Sequence, residues 1–168
     1  MTFAQAIEAP SILVAIRAID DAMKLLPPKL TSQEARVMLL AIALQESGCA
    51  TRCQANNGPA HSMWQGEVTG GMCYWIFRHP ATKTLAPALC AACRCSPLAH
   101  DVWTRIESDD VLAAGLARLL LLSDPKPLPA IGDESAAWDY YQRNWRPGKP
   151  HPDRWPGNYR AALAALEA

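Results

Sequence analysis

The run V-L-A-A-G-L-A-R-L-L-L-L, from Val111 to Leu122, constrains this chain more than any other stretch. Read as a helix it is apolar nearly all round, and a helix without a polar face has to be covered on every side. Ser108-Asp109-Asp110 in front of it offers a cap and two acids for the positive end of the helix dipole. The rest of the chain must therefore wrap this segment, and 168 residues are enough for one domain with a real core. Half the residues are apolar and the charges balance at zero, the composition of an ordinary globular domain. That balance argues against a dedicated nucleic-acid binder. No run reaches the length of a membrane span, since Ser11 to Leu26 is broken by Arg17, Asp20, Asp21 and Lys24. The opening M-T-F-A-Q-A-I-E has no basic stretch and carries an early Glu, so it does not read as a signal peptide. Cytoplasmic synthesis without stable membrane association is the expectation.

Other segments supply the wrapping. Ser11 to Leu26 reads as a first helix with Ile12, Ile16, Ile19 and Met23 on one face, ended by Pro27 and Pro28. Ala81 to Cys95 and Ala99 to Ile106 read as helices, and Asp133 can cap another with Trp138, Tyr141 and Trp145 on one face. R-P-G-K-P-H-P-D-R-W-P reads as irregular and basic, followed by a closing helix from Asn158 to Glu167. The expected architecture is mainly α, with residues 1–30 as an N-terminal helix and 31–160 as the functional core. Residues 49–71 hold Asn56, Asn57, Gly58, Pro59, Gly66, Gly70 and Gly71, which punctuate turns, so any sheet should be a small hairpin there.

Thr31 to Gly71 carries the chemistry. Thr31 and Glu34 form a capping-box signature, Gly48 is a natural stop, and Ala35, Met38, Leu39 and Ile42 make an apolar stripe that Glu46 extends. A carboxylate at the end of such a stripe faces a low-dielectric wall, which disfavours its charged form and suits it to donate a proton. Glu67 supplies a second carboxylate in the Gly-rich loop. Against this stands the ordinary expectation that a Glu near a helix end is solvated or paired.

The six cysteines include a C-x-x-C-x-C array at Cys90, Cys93 and Cys95. Their spacing matches no common zinc module, and small buried thiols in a reduced protein are the simpler reading. A helical metal-binding module is the competing one. His61, His79, His100 and His151 make no ligand pattern with the cysteines, so no metal or cofactor is assigned. Arg143, Arg146, Lys149, Arg154 and Arg160 give the C-terminal region a positive bias, read either as a solvated face or as an attraction for an anionic polymer.

Several of these stretches resemble the lysozyme-like superfamily, in the branch of goose-type lysozymes and soluble lytic transglycosylases. Gln45-Glu46-Ser47-Gly48 is similar to the family's E-S motif, and Met63-Trp64-Gln65 to its G-L-M-Q segment, with Ser62 where that motif has Gly. S-D-D-V-L-A-A-G-L-A-R-L-L-L resembles the family's N-I-x-x-G-x-x-Y-L-x-x-L helix, and W-D-Y-Y-Q-R-N-W-R-P-G-K-P the closing segment of phage-encoded relatives.

The resemblance implies an α+β lysozyme-like fold with a hairpin beside the helix of the catalytic acid. It implies cleavage of the β-1,4 bond in peptidoglycan glycan strands, with Glu46 as general acid. Glu67, two residues after Gln65, matches an acid that goose-type enzymes carry and would be the base of a hydrolysis; without it, transglycosylation to anhydro products is the alternative. Ser47, Met63, Trp64, Gln65, Tyr140 and Tyr141 are the implied substrate-side residues, one of the tyrosines facing Glu46. Trp64 is better read as packing behind the cleft, and Ser47 as closing the helix end. The implied role is a monomeric phage or prophage endolysin, released from the host cytoplasm by a partner such as a holin to act on the wall from the periplasm. A glycan-binding or structural protein on the same fold is the non-enzymatic alternative.

Overall fold

A computed structural model describes residues 9–167; the opening M-T-F-A-Q-A-I-E, on which the leader reading rests, lies outside them. The chain is mainly helical. In order come α1 (Ile12–Leu25), a 3-10 turn (Pro28–Leu30), α2 (Gln33–Ser47), 3-10 turns at Ala55–Asn57 and Trp75–Phe77, α3 (Leu85–Ala92), α4 (Ala99–Arg105), α5 (Asp110–Leu122), α6 (Glu134–Trp145) and α7 (Trp155–Glu167). None is long and apolar enough to cross a membrane.

The Val111–Leu122 run forms α5, buried from Leu112 to Leu121, capped by Asp109, whose carboxylate accepts from Leu112 N at 3.0 Å. It packs on α1, α2 and α3. Gly115 makes room for a side chain of α3: a Cβ there would meet Leu89 Cδ2 at 2.5 Å. Arg118, the one charge in the run, stays buried and donates from Nε to Leu30 O at 2.9 Å, tying the Pro28–Leu30 turn to α5. Burial pulls its pKa below the usual guanidinium value.

The core holds a second enclosed helix, which the stripe reading understates. Every residue of α2 from Val37 to Gln45 is buried, because α1, α5 and α7 all pack on it. Its N-cap also differs from expectation. Ser32 accepts from Ala35 N at 3.1 Å, while Thr31 ends the preceding turn through its N–H to Pro28 O, which moves the helix start one residue on. Gly48 closes α2 in the left-handed region, at φ 63°. In α1 the buried face runs through Val14, Ala15, Ala18, Ile19, Ala22 and Met23, leaving Ile12 and Ile16 at its edge. The alanines let neighbouring helices approach closely, which a count of large side chains misses.

Other boundaries shrink or grow for local reasons. Helix α3 is shorter than Ala81–Cys95: Arg94 is left-handed at φ 54°, and Cys95 N bonds back to Cys90 O at 2.9 Å. Helix α7 begins at Trp155 rather than Asn158, since Pro156 falls in its first turn, where no N–H is needed. The expected hairpin is reduced, among the described residues, to isolated bridges of His61 with Cys53 and with Gly66. Left-handed backbone at Asn56, Asn57, Ser62 and Gln65 keeps residues 49–71 from extending into strands.

Candidate functional site

The buried course of α2 ends in open space. From Leu44 onward its last turn lines a cleft of about 1160 Å³, whose other walls come from residues 51–71, the end of α6 and residues 146–154. Glu46 stands at that transition, half-buried. Burial pushes its pKa above the usual carboxylate value, and a hydrogen bond from Tyr141 opposes part of the rise. Tyr141 Oη donates to Glu46 Oε1 at 2.6 Å. No other hydrogen bond reaches the carboxyl among the described residues, so Oε2 is the oxygen on which a transferable proton can sit.

Tyr141 is itself fixed. Its ring stacks on Trp155 with centroids 5.2 Å apart, and Trp138 and Trp145 flank it. Burial and the neighbouring carboxyl raise its own pKa, which keeps the hydroxyl a donor. Trp145 Nε1 donates to Trp64 O at 3.0 Å, joining α6 to the loop wall. Tyr140 points away: it is buried, bonded to Leu121 O at 2.7 Å, and absent from the cleft. Of the adjacent tyrosines, Tyr141 is the one at Glu46.

The loop wall divides the remaining expected residues. Met63 and Trp64 are fully buried and do not reach the cleft: Trp64 packs behind it, as its preferred reading had it, while Met63 loses its place among the substrate-side residues. Trp64 Nε1 donates to Leu39 O at 2.9 Å, so the indole anchors the loop on α2. Gln65 and Glu67 do line the cleft, Glu67 exposed. Gln65 Nε2 donates to Ser62 O at 2.8 Å, which holds the loop in its left-handed turn. Ser47 lines the cleft too, with its hydroxyl directed to Ala43 O and Met63 O at 3.1 and 2.8 Å. That hydroxyl ties helix to loop.

Sequence reasoning assigned no role to Gln45, which the structure makes central. Only 8% exposed, it donates from Nε2 to His151 O at 3.0 Å and accepts at Oε1 from Asn158 Nδ2 at 2.8 Å. A signal was available: a primary amide on an otherwise apolar buried helix has to find partners.

Elsewhere, His61 is half-buried. It stacks on Trp103 at 3.9 Å and places Nδ1 2.9 Å from Trp103 O, outside the cleft. Cys49, Cys73 and Cys90 are buried, and burial lifts each thiol to about 12. Cys53 departs from the small-buried reading: it is exposed and donates to Glu107 at 3.0 Å. The described residues contain no group of three or more His, Cys, Asp or Glu side chains placed to hold a metal ion.

Comparison with known proteins finds no matching family model, no matching curated protein and no matching solved structure.

Proposed function

We propose that this chain cleaves the β-1,4 glycosidic bond of peptidoglycan, with Glu46 as the general acid, on a lysozyme-like arrangement of its helices. The observation that carries the reading is the half-buried Glu46 lining a cleft of about 1160 Å³, hydrogen-bonded through one oxygen to a packed tyrosine. Support also comes from Ser62: its φ of 70° is one that glycine adopts without cost, and it stands where the resembling segment has Gly.

Glu46 would give its proton to the glycosidic oxygen as the C1–O bond breaks and C1 becomes oxocarbenium-like. In a hydrolysis, water then bonds to C1 and passes its proton to Glu67, which shares the cleft. The exposed position of Glu67 favours a second reading, lytic transglycosylation. There the sugar's own 6-hydroxyl closes on C1, passing its proton to the carboxylate that Glu46 has become, and the product is an anhydro sugar. In either form the role is an endolysin-like one, in which a protein made in the host cytoplasm acts on the wall once a holin-type partner lets it through.

The test is digestion of purified peptidoglycan by the wild type and by Glu46→Gln, with soluble products weighed by mass spectrometry. Reducing-end fragments from the wild type alone support a muramidase, with a drop on the order of 1000-fold in the variant. Products one water lighter support transglycosylation. Intact folding with no release from the wild type sinks the enzymatic reading in favour of a binding role.

A further inference from the structure

Residues 146–154, R-P-G-K-P-H-P-D-R, run as a strap between α6 and α7 and form one wall of the cleft. Prolines 147, 150 and 152 stiffen this backbone. Gln45 clamps it, since both ends of that buried amide are spent on the strap and the helix after it, at His151 O and Asn158 Nδ2. The residue beside the candidate acid therefore sets the position of the opposite wall.

What the strap presents is charge of one sign. Arg146, Lys149 and Arg154 are exposed and line the cleft, while Asp153 does not. Neighbouring cations are already engaged, Arg143 with Asp124 and Arg160 with Glu134. None of the three lining cations has a carboxylate partner among the described residues. Arg146 spends only Nε, on Arg143 O at 3.3 Å, so both terminal guanidinium nitrogens remain available for a two-pronged contact. In a chain of zero net charge this is segregation rather than surplus.

We propose that the strap is an anion subsite: Arg146, Lys149 and Arg154 hold carboxylates carried by the substrate strand. The cleft then selects acid-bearing glycan over neutral β-1,4 amino-sugar polymers. This rests on the glycan reading of the cleft and adds to it a basis for choosing among glycans.

The experiment measures binding of labelled, soluble peptidoglycan glycan strands to the full chain carrying Glu46→Gln, which binds without turnover. The same strands are measured after carbodiimide coupling of their carboxyls to methylamine, which neutralises them without shortening them. Neutralisation is expected to weaken binding tenfold or more. Adding Arg146→Gln, Lys149→Gln and Arg154→Gln should produce a similar loss on native strands and little further loss on neutralised ones. Equal affinity of the Glu46→Gln chain for native and neutralised strands overturns the subsite. Because that comparison alters only the ligand, it stands even if the strap variant folds poorly. Failure of the enzymatic reading looks different: the wild type releases no fragments while the preference for native strands persists. No binding to either strand overturns both.

Discussion

Behind Glu46 the cleft is backed by α2, α5 and the stacked rings of Tyr141 and Trp155, all buried. In front of it the walls are residues 49–71 and the 146–154 strap, which hold no α-helix. The back is held by apolar area, which is non-directional and tolerates small shifts. The front is held by a few buried anchors, Met63 and Trp64 among them, and by aimed bonds: Gln65 to Ser62 O, Ser47 to Met63 O, Gln45 to His151 O. It also carries left-handed backbone at Cys49, Asn56, Asn57, Ser62, Gln65 and Arg146, and such conformations cluster at functional sites where the surroundings enforce them. On the proposed reading, the proton donor sits on the side held by apolar burial and substrate selection falls to the loop side.

Trp64 is where the two sides meet, and its removal should cost most. Trp64→Ala deletes a fully buried indole and its bond to Leu39 O. Chemical denaturation should show a loss of about 4 kcal/mol, with the loop wall detached. A loss under about 1 kcal/mol would mean that the loop is not anchored by the core, breaking the comparison.

Gln45→Leu comes next. It keeps the volume but leaves His151 O and Asn158 Nδ2 without their partner. The expected loss is about 2 kcal/mol, with faster proteolysis confined to residues 147–154. Cleavage spread evenly over the chain would show that Gln45 serves the core rather than the strap.

The same division decides what the sequence reveals. Helix α5 is legible because an all-apolar run leaves one option, and Glu46 is legible because it continues the stripe of Ala35, Met38, Leu39 and Ile42. Burial of α2 on every side is less visible, since the helices that cover it include α5 and α7, which are far away in sequence. The front walls are barely legible. Tyr141 shares a legible face with Trp138 and Trp145, but nothing local marks it as the partner of Glu46, or Gln45 as the partner of residues more than a hundred positions on. Bonds between distant side chains have no periodicity to read.

Tyr141→Phe probes the back wall more gently. The tyrosine hydroxyl favours the ionised form of Glu46, so its loss should raise the pKa of Glu46 further. If Glu46 acts as an acid, the alkaline limb of the pH–rate profile moves to higher pH. Stability follows the same sign. A carboxyl whose folded pKa lies above its unfolded value costs stability as pH rises from the ordinary carboxylate range through the raised value. Tyr141→Phe should widen that window upward, and Glu46→Gln should abolish it. A limb that moves down, or a stability profile unchanged by Glu46→Gln, would place the burial elsewhere.

The smallest effect belongs to Ser62. At φ 70° a non-glycine residue carries a backbone cost of about 1 kcal/mol, yet its hydroxyl accepts from Trp64 N at 3.2 Å. A buried amide bond of this kind contributes about 1 kcal/mol. Ser62→Gly relieves the first and loses the second, so its stability should stay within about 0.5 kcal/mol of wild type. Ser62→Ala keeps the strain and still loses the acceptor, and should fall by about 1 kcal/mol. The gap between these variants in one denaturation series isolates the left-handed cost. A gap near zero would mean that the loop relaxes out of this conformation once the hydroxyl is gone, so that the front wall is shaped by its hydrogen bonds rather than by the core beneath it.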